Sequence, residues 1–150
     1  MTSARATLES DYARTLLPLA RMWRQAADGA LRDMNVSASI GWTLVQVGRL
    51  DDDVRQTDLA NKLDVTPASL VRSLDQMVAA DLVERRRDHA DARVSRIRLT
   101  PHGRALVATI EAKFAALRGK MLDDVSDDDL AIALRVADRL GAKFIADRAR

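Results

Sequence analysis

The sequence predicts a mainly α-helical chain that carries one small β-hairpin. Apolar residues recur three and four positions apart through most of the 150 residues, which is the spacing of a helical face. Between Leu82 and Leu99 that spacing gives way to strict alternation, the period of a strand. Thr66-Pro67 and Thr100-Pro101 each pair a capping side chain with a proline at the first helical position, so helices start at both.

The first helix is expected over residues 8–34, where Leu8, Tyr12, Leu16, Leu19, Trp23, Ala26, Ala30 and Met34 form the apolar stripe. Pro18 interrupts this pattern, so the helix either kinks there or divides into a short and a longer piece. Ser37 is placed to cap a second helix through Ile40, Leu44 and Val47, which ends in the polar Asp51–Asp53 turn. A short helix over Gln56–Leu63 follows, with Leu59 and Leu63 on one face. Asp64-Val65 then turns the chain into the Thr66-capped helix, whose inward positions are Leu70, Leu74 and either Met77 or Val78. Asp81 stands where a helix-ending glycine is expected, and aspartate tolerates the left-handed conformation better than most residues.

Leu82–Arg87 and Arg93–Leu99 read as two strands joined by the polar loop Asp88-His89-Ala90-Asp91-Ala92. A long helix then carries Leu106, Ile110, Phe114, Leu117 and Met121. Ser126-Asp127-Asp128-Asp129 opens the last helix as a capping box, with Leu130, Leu134, Ala137, Leu140 and Phe144 along it. Negative charge is favourable at a helix start, which explains the acidic run without a metal; no calcium-loop spacing or convergent histidine accompanies it.

Composition narrows the function. No cysteine is present, which excludes disulfides, cysteine-ligated zinc and thiol redox sensing within the chain. Two histidines and one tyrosine leave few acid–base candidates, and no nucleophile–base set or glycine-rich phosphate loop appears, so the chain does not read as an enzyme and implies no cofactor. Glu9 and Asp11 stand where a signal peptide would be apolar, and no stretch is long and uncharged enough to span a membrane; the expected location is the cytoplasm. The formal net charge is only +2, yet residues 85–98 hold six arginines against two aspartates. A basic segment on a nearly neutral chain points to a local anionic partner, with a solvated arginine-rich surface as the alternative.

Two short helices joined by a tight turn and followed by an arginine-bearing hairpin describe a helix-turn-helix with a wing. The second helix of such a unit must present small and polar residues at its exposed start to enter the major groove of double-stranded DNA. Here that start reads Thr66-Pro67-Ala68-Ser69, with Arg72 and Ser73 one turn on. Ser69 and Arg72 share a face while Leu70 and Leu74 point inward. Arg72 can donate a bidentate pair to guanine. Arg93 at the hairpin tip suits a narrow minor groove, with Asp91 two residues away to hold its guanidinium. Lys62, Arg85 and Arg87 are placed for phosphate contacts.

Asp91-Ala92-Arg93 followed by Leu99-Thr100-Pro101-His102-Gly103 resembles the D-x-R…L-T-x-x-G wing signature of the MarR family of transcriptional regulators. Leu59-Ala60-Asn61-Lys62-Leu63, Ser69-Leu70-Val71-Arg72 and Leu82-Val83-Glu84-Arg85 precede it in the expected order. The run Leu70-Val71-Arg72-Ser73-Leu74-Asp75-Gln76 is similar to the SlyA-like branch. The resemblance covers nearly the whole chain. It implies a single domain over residues 1–150, in which a winged helix-turn-helix lobe (37–100) is flanked by N- and C-terminal dimerisation helices (8–34 and 104–148). It further implies a homodimer on a palindromic operator, most often as a ligand-responsive repressor. By the same resemblance Ser69 and Arg72 fall at recognition-helix contact positions, Arg93 at the minor-groove position and Asp91 at its support. Asp64, Asp81 and Ala92 depart from the family, which often has glycine at the first two and an arginine at the third.

The resemblance also implies a cleft for a small aromatic acid between the dimer helices and the DNA lobe. Arg21 and Arg24 lie near one face of the first helix beside Trp23, and Ser39 and Trp42 open the second. Two guanidinium groups can hold a carboxylate while an indole covers its ring; the alternative is solvated arginines and core tryptophans. A different class of function remains open, a winged-helix protein-interaction module without DNA binding, which Ser69, Arg72 and Arg93 argue against.

Overall fold

The computed structural model describes residues 3–50 and 53–148. Asp51 and Asp52 of the expected polar turn lie outside the described residues. Among the described residues six helices and three strands follow in the order α1 (Ala4–Asp33), α2 (Ala38–Arg49), β1 (Val54–Arg55), α3 (Gln56–Leu63), α4 (Pro67–Ala79), β2 (Val83–Arg87), β3 (Ser95–Leu99), α5 (Pro101–Met121) and α6 (Asp127–Arg148). The fold is mainly α with a small antiparallel sheet, as the periodicities predict. Among the described residues no helix is long and apolar enough to cross a membrane.

The helix ends show why the chain turns where it does. Ser3, Ser37 and Thr66 each accept a backbone N–H from three residues on, which satisfies one orphan donor of α1, α2 and α4. Ser3 explains why α1 starts earlier than residue 8. At the other ends, Asn35, Asp64 and Asp81 take positive φ values of 57°, 53° and 55°. Paired backbone bonds wrap each end; at α4 these are Leu82 N–H to the Met77 carbonyl and Asp81 N–H to that of Val78. A carboxylate or amide side chain thus does at all three ends what glycine usually does. Pro18 lies inside an unbroken α1, so the helix does not divide there.

The hairpin strands are shorter than expected, and the connection between them spans residues 88–94, which leaves Arg93 in the turn rather than in a strand. β3 is central. It pairs antiparallel with β2 (Val83 opposite Leu99, Arg85 opposite Ile97) and with β1 (Val54 opposite Ile97), giving the order β1-β3-β2. β1 was not anticipated, because two residues cannot display an alternation.

The first core joins Leu44, Leu59, Leu70, Leu74, Met77 and Ile97, all fully buried, and binds α2, α3 and α4 to the sheet. Each such side chain contributes about 1.5–3 kcal/mol by leaving water. Met77, not Val78, is the inward residue of α4; Val78 is exposed. A second cluster packs Ala27 and Leu31 of α1 against Val45, Ile110 and Phe114. The α1 stripe therefore needs correction. Ala27 and Leu31 are the buried residues and Ala30 and Met34 of the stripe pack against their cluster, whereas Leu8, Tyr12, Leu16, Leu19 and Trp23 stay exposed.

The Leu99–Gly103 segment fastens the hairpin to α5. Thr100 donates its N–H to the Leu82 carbonyl and its hydroxyl to the Asp81 carbonyl at 2.6 Å, and accepts the Gly103 N–H at 2.9 Å. Gly103 is buried so tightly that a Cβ there would sit 1.9 Å from the Leu82 carbonyl oxygen.

Met1–Leu117 form one compact unit and Arg118–Arg150 another. In the second, Ser126 Oγ accepts the Asp129 N–H at 3.1 Å and donates to the Asp129 carboxylate at 2.7 Å. The acidic residues occupy the first turn of α6, where the helix dipole favours them. Along α6 no described residue is buried, and Leu134 and Phe144 of the expected stripe are exposed.

Candidate nucleic-acid interface

The α3–turn–α4 unit and the hairpin place two groups of polar side chains at the surface. On α4, Thr66 Oγ1 lies 2.9 Å from Ser69 Oγ, so the cap and the first exposed hydroxyl form one polar cluster. Arg72 stands one turn on, exposed, and Lys62 is exposed near the end of α3. Ser73 does not join them: it is half-buried, and its hydroxyl lies 2.8 Å from that of Ser39 on α2.

On the wing, Arg87 and Arg93 are exposed, and neither forms an ion pair among the described residues. Asp91 supports Arg93 differently from the expectation. Its carboxylate accepts the Arg93 backbone N–H at 2.9 Å, so it shapes the turn and leaves the guanidinium to solvent. Arg85 is tied down, with Nη1 on the Asp75 carboxylate at 2.8 Å and Nη2 on the Val71 carbonyl at 3.3 Å. Arg86 pairs with Glu84.

Sequence reasoning missed the residues that hold the wing loop. Asp88 accepts backbone N–H groups from Ala90 (2.8 Å) and Asp91 (3.3 Å) as well as the Arg96 guanidinium. Arg96 reaches on to the carbonyl and carboxylate of Asp53 beside β1. The Arg96 hydrogen bond, followed by the Ala90 N–H, lowers the Asp88 carboxyl from 3.8 to about 2. A depressed carboxyl stabilises the fold fully above its unfolded value, and that contribution is lost as pH falls through about 2. An NMR titration of the Asp88 carboxyl carbon should therefore show a midpoint near 2; a midpoint at the ordinary value of roughly 3.9 would contradict the wing-loop account.

Arg55 was also missed. It lies with Arg93 in the lining of a cleft of about 260 Å³ that runs past Gln56, Thr57 and Pro67. A single arginine on a two-residue strand carries no pattern, so nothing in the sequence marked it.

A second cavity, of about 280 Å³, brings Arg24, Ser39 and Trp42 together with Ser69 and Ser73 of α4. Arg21 is exposed on α1 and is not in its lining, and neither is Trp23. The Arg24 guanidinium carbon stands 4.3 Å above the Trp42 ring, which itself packs 5.2 Å from Phe114. Asp28 accepts from both Arg24 Nε at 3.2 Å and Trp42 Nε1 at 2.7 Å.

A model of the MarR family matches residues 43–95, the stretch from α2 to the start of β3. The solved transcriptional regulator PA3341 superposes with a TM-score of 0.82 at 29% identity, over 90% of this chain and 98% of its own. The fold is that of the MarR winged-helix regulators. The transcriptional regulator BldR from Sulfolobus solfataricus superposes with a TM-score of 0.73 at 25% identity, over 93% of this chain and 99% of its own. A mutant MarR from E. coli complexed with operator DNA gives 0.72 at 19% identity, over 85% of this chain and 91% of its own. In MarR terms, the family match takes in every DNA-contact position expected here, and the fold likeness extends beyond it.

Proposed function

We propose that this chain is a MarR-family regulator that binds double-stranded DNA in a sequence-specific manner. The carrying observation is the division among the basic side chains. Arg72, Arg87 and Arg93 are exposed without acidic partners among the described residues, whereas Arg85, Arg86 and Arg96 are engaged within the lobe. In this reading α4 enters the major groove, where Ser69 and Arg72 meet base edges and Thr66 and Ser73 border the contact. Arg93 enters the minor groove on a turn shaped by Asp91, and Lys62 and Arg87 serve the phosphate-facing side with Arg55 added to them, while Arg85, expected beside them, is turned to α4 instead. The run Leu70–Gln76 favours the SlyA-like branch.

The exposed apolar residues of α1 and α6, among them Leu8, Trp23, Leu134 and Phe144, favour a homodimer that covers them with a second copy. One two-fold dimer places two recognition helices about 34 Å apart, which calls for a palindromic operator. Sequencing of duplex fragments recovered by the purified protein tests this. The expected result is one motif in two inverted halves about 10 bp apart; recovery of unrelated sequences, or a single half-site with a monomer in light scattering, would contradict it.

We further propose a cytoplasmic, ligand-responsive repressor whose effector is a small aromatic acid seated against Arg24, Ser39 and Trp42. Such an acid must draw Arg24 away from Asp28 and bind the DNA-incompetent arrangement more tightly, since only differential affinity shifts the equilibrium. Titration of the operator complex with salicylate-like acids should release DNA, and Arg24→Ala should abolish the release. Release that persists in Arg24→Ala would remove this site.

A further inference from the structure

Arg85 occupies the middle of β2 opposite Ile97, on the sheet face that also carries the buried Val83 and Leu99. From there its guanidinium reaches α4 at two points one turn apart, the Asp75 carboxylate at 2.8 Å and the Val71 carbonyl at 3.3 Å. Those two residues bracket the turn that carries Arg72. The grip therefore fixes the wing strand to the turn of the recognition helix that carries the side chain expected to read a base.

We propose that Arg85 is a positioning residue, a strut that sets the recognition helix and the wing at one angle so that Arg72 and Arg93 engage DNA together. The inference rests on the DNA-binding reading and refines it. A guanidinium that donates to a carboxylate and a carbonyl on the neighbouring helix has a fixed direction, and a bidentate grip transmits angle as well as distance. The pair is partly exposed, with side chains 34% and 58% accessible, so its loss costs the fold little. Its effect lies in where Arg72 points.

A phosphate contact and a strut leave different signatures. Loss of a phosphate contact weakens all duplexes alike and reduces the salt slope by about 0.9. Loss of a strut weakens the selected duplex and leaves scrambled duplex and salt slope unchanged. A strut also couples Arg85 to Asp75, so the two substitutions do not add.

The experiment measures affinity for a selected and a scrambled duplex across a salt series, with Arg85→Ala, Asp75→Ala, the double variant, and the exchange of Arg85→Asp with Asp75→Arg. Thermal melting of each variant checks that it folds. The expected result is a loss of about tenfold on the selected duplex alone for either single substitution, no further loss in the double variant, and recovery in the exchange. If the parent discriminates but Arg85→Ala weakens both duplexes equally and lowers the slope, the strut is overturned while the DNA reading stands. If the parent itself shows no preference, the DNA reading falls and the strut with it.

Discussion

Gly103→Ala is expected to lower the melting temperature by roughly 6–12 °C, from a destabilisation of at least about 3 kcal/mol in a chain of this size. The added methyl would lie 1.9 Å from the Leu82 carbonyl oxygen and 2.9 Å from its carbon. Those atoms are backbone, so no flexible side chain can move aside. The same carbonyl accepts the Thr100 N–H, and the Thr100 hydroxyl caps α5 while it donates to Asp81. Relief of the clash must shift either the start of α5 or the Asp81-Leu82 segment, and both break this junction. Far-UV circular dichroism during heating reads the outcome, and a melting curve that matches the parent's would show that the junction is looser than described.

Arg72→Ala is expected to cost about 1–3 kcal/mol at the cognate duplex and to relax discrimination at one base pair. The side chain is exposed and forms no ion pair among the described residues, so the substitution leaves the lobe intact. Along α4 Arg72 lies between Val71 and Asp75, whose carbonyl and carboxylate Arg85 grips, which gives its backbone a fixed base. Fluorescence anisotropy against a set of single-base operator variants measures both effects. Unchanged affinity and an unchanged ranking of those variants would reject the docking of α4 in the major groove.

Local chemistry made much of the fold legible in the sequence. Thr66-Pro67 marks the start of α4, and Asp64 and Asp81 turn the chain in the left-handed conformation that their short polar side chains tolerate. The alternation after Asp81 locates the sheet because Ile97 and Leu99 are buried while Arg98 between them is exposed. What the sequence hid was chiefly non-local. The α1 stripe has good helical spacing, yet an apolar stripe does not say what covers it: Ala27 and Leu31 are buried and Ala30 and Met34 pack beside them, while the stripe from Leu8 to Trp23 stays exposed.

The interface was legible to the same degree. Thr66, Ser69 and Arg72 are visible from the order of a capped helix start, and the structure exposes all three. Ser73 is four residues from Ser69, close enough in sequence to share its face, but the packing of α2 draws it to Ser39. Arg85, Arg87 and Arg93 look alike in a list of arginines. Only the sheet register and the position of Asp75 separate the one held by α4 from the two left in solvent. Arg21 and Arg24 share a helix face by spacing, yet only Arg24 meets Trp42.

The central claim is that the exposed side of α4 and the wing together read the sequence of duplex DNA. Its most direct test is the ratio of affinities of the parent protein for a selected duplex and for a scrambled duplex of the same length and composition, at one physiological salt concentration. The account predicts a preference of about 10³-fold or more for the selected duplex. Equal affinity for the two, or no binding to either, would contradict it.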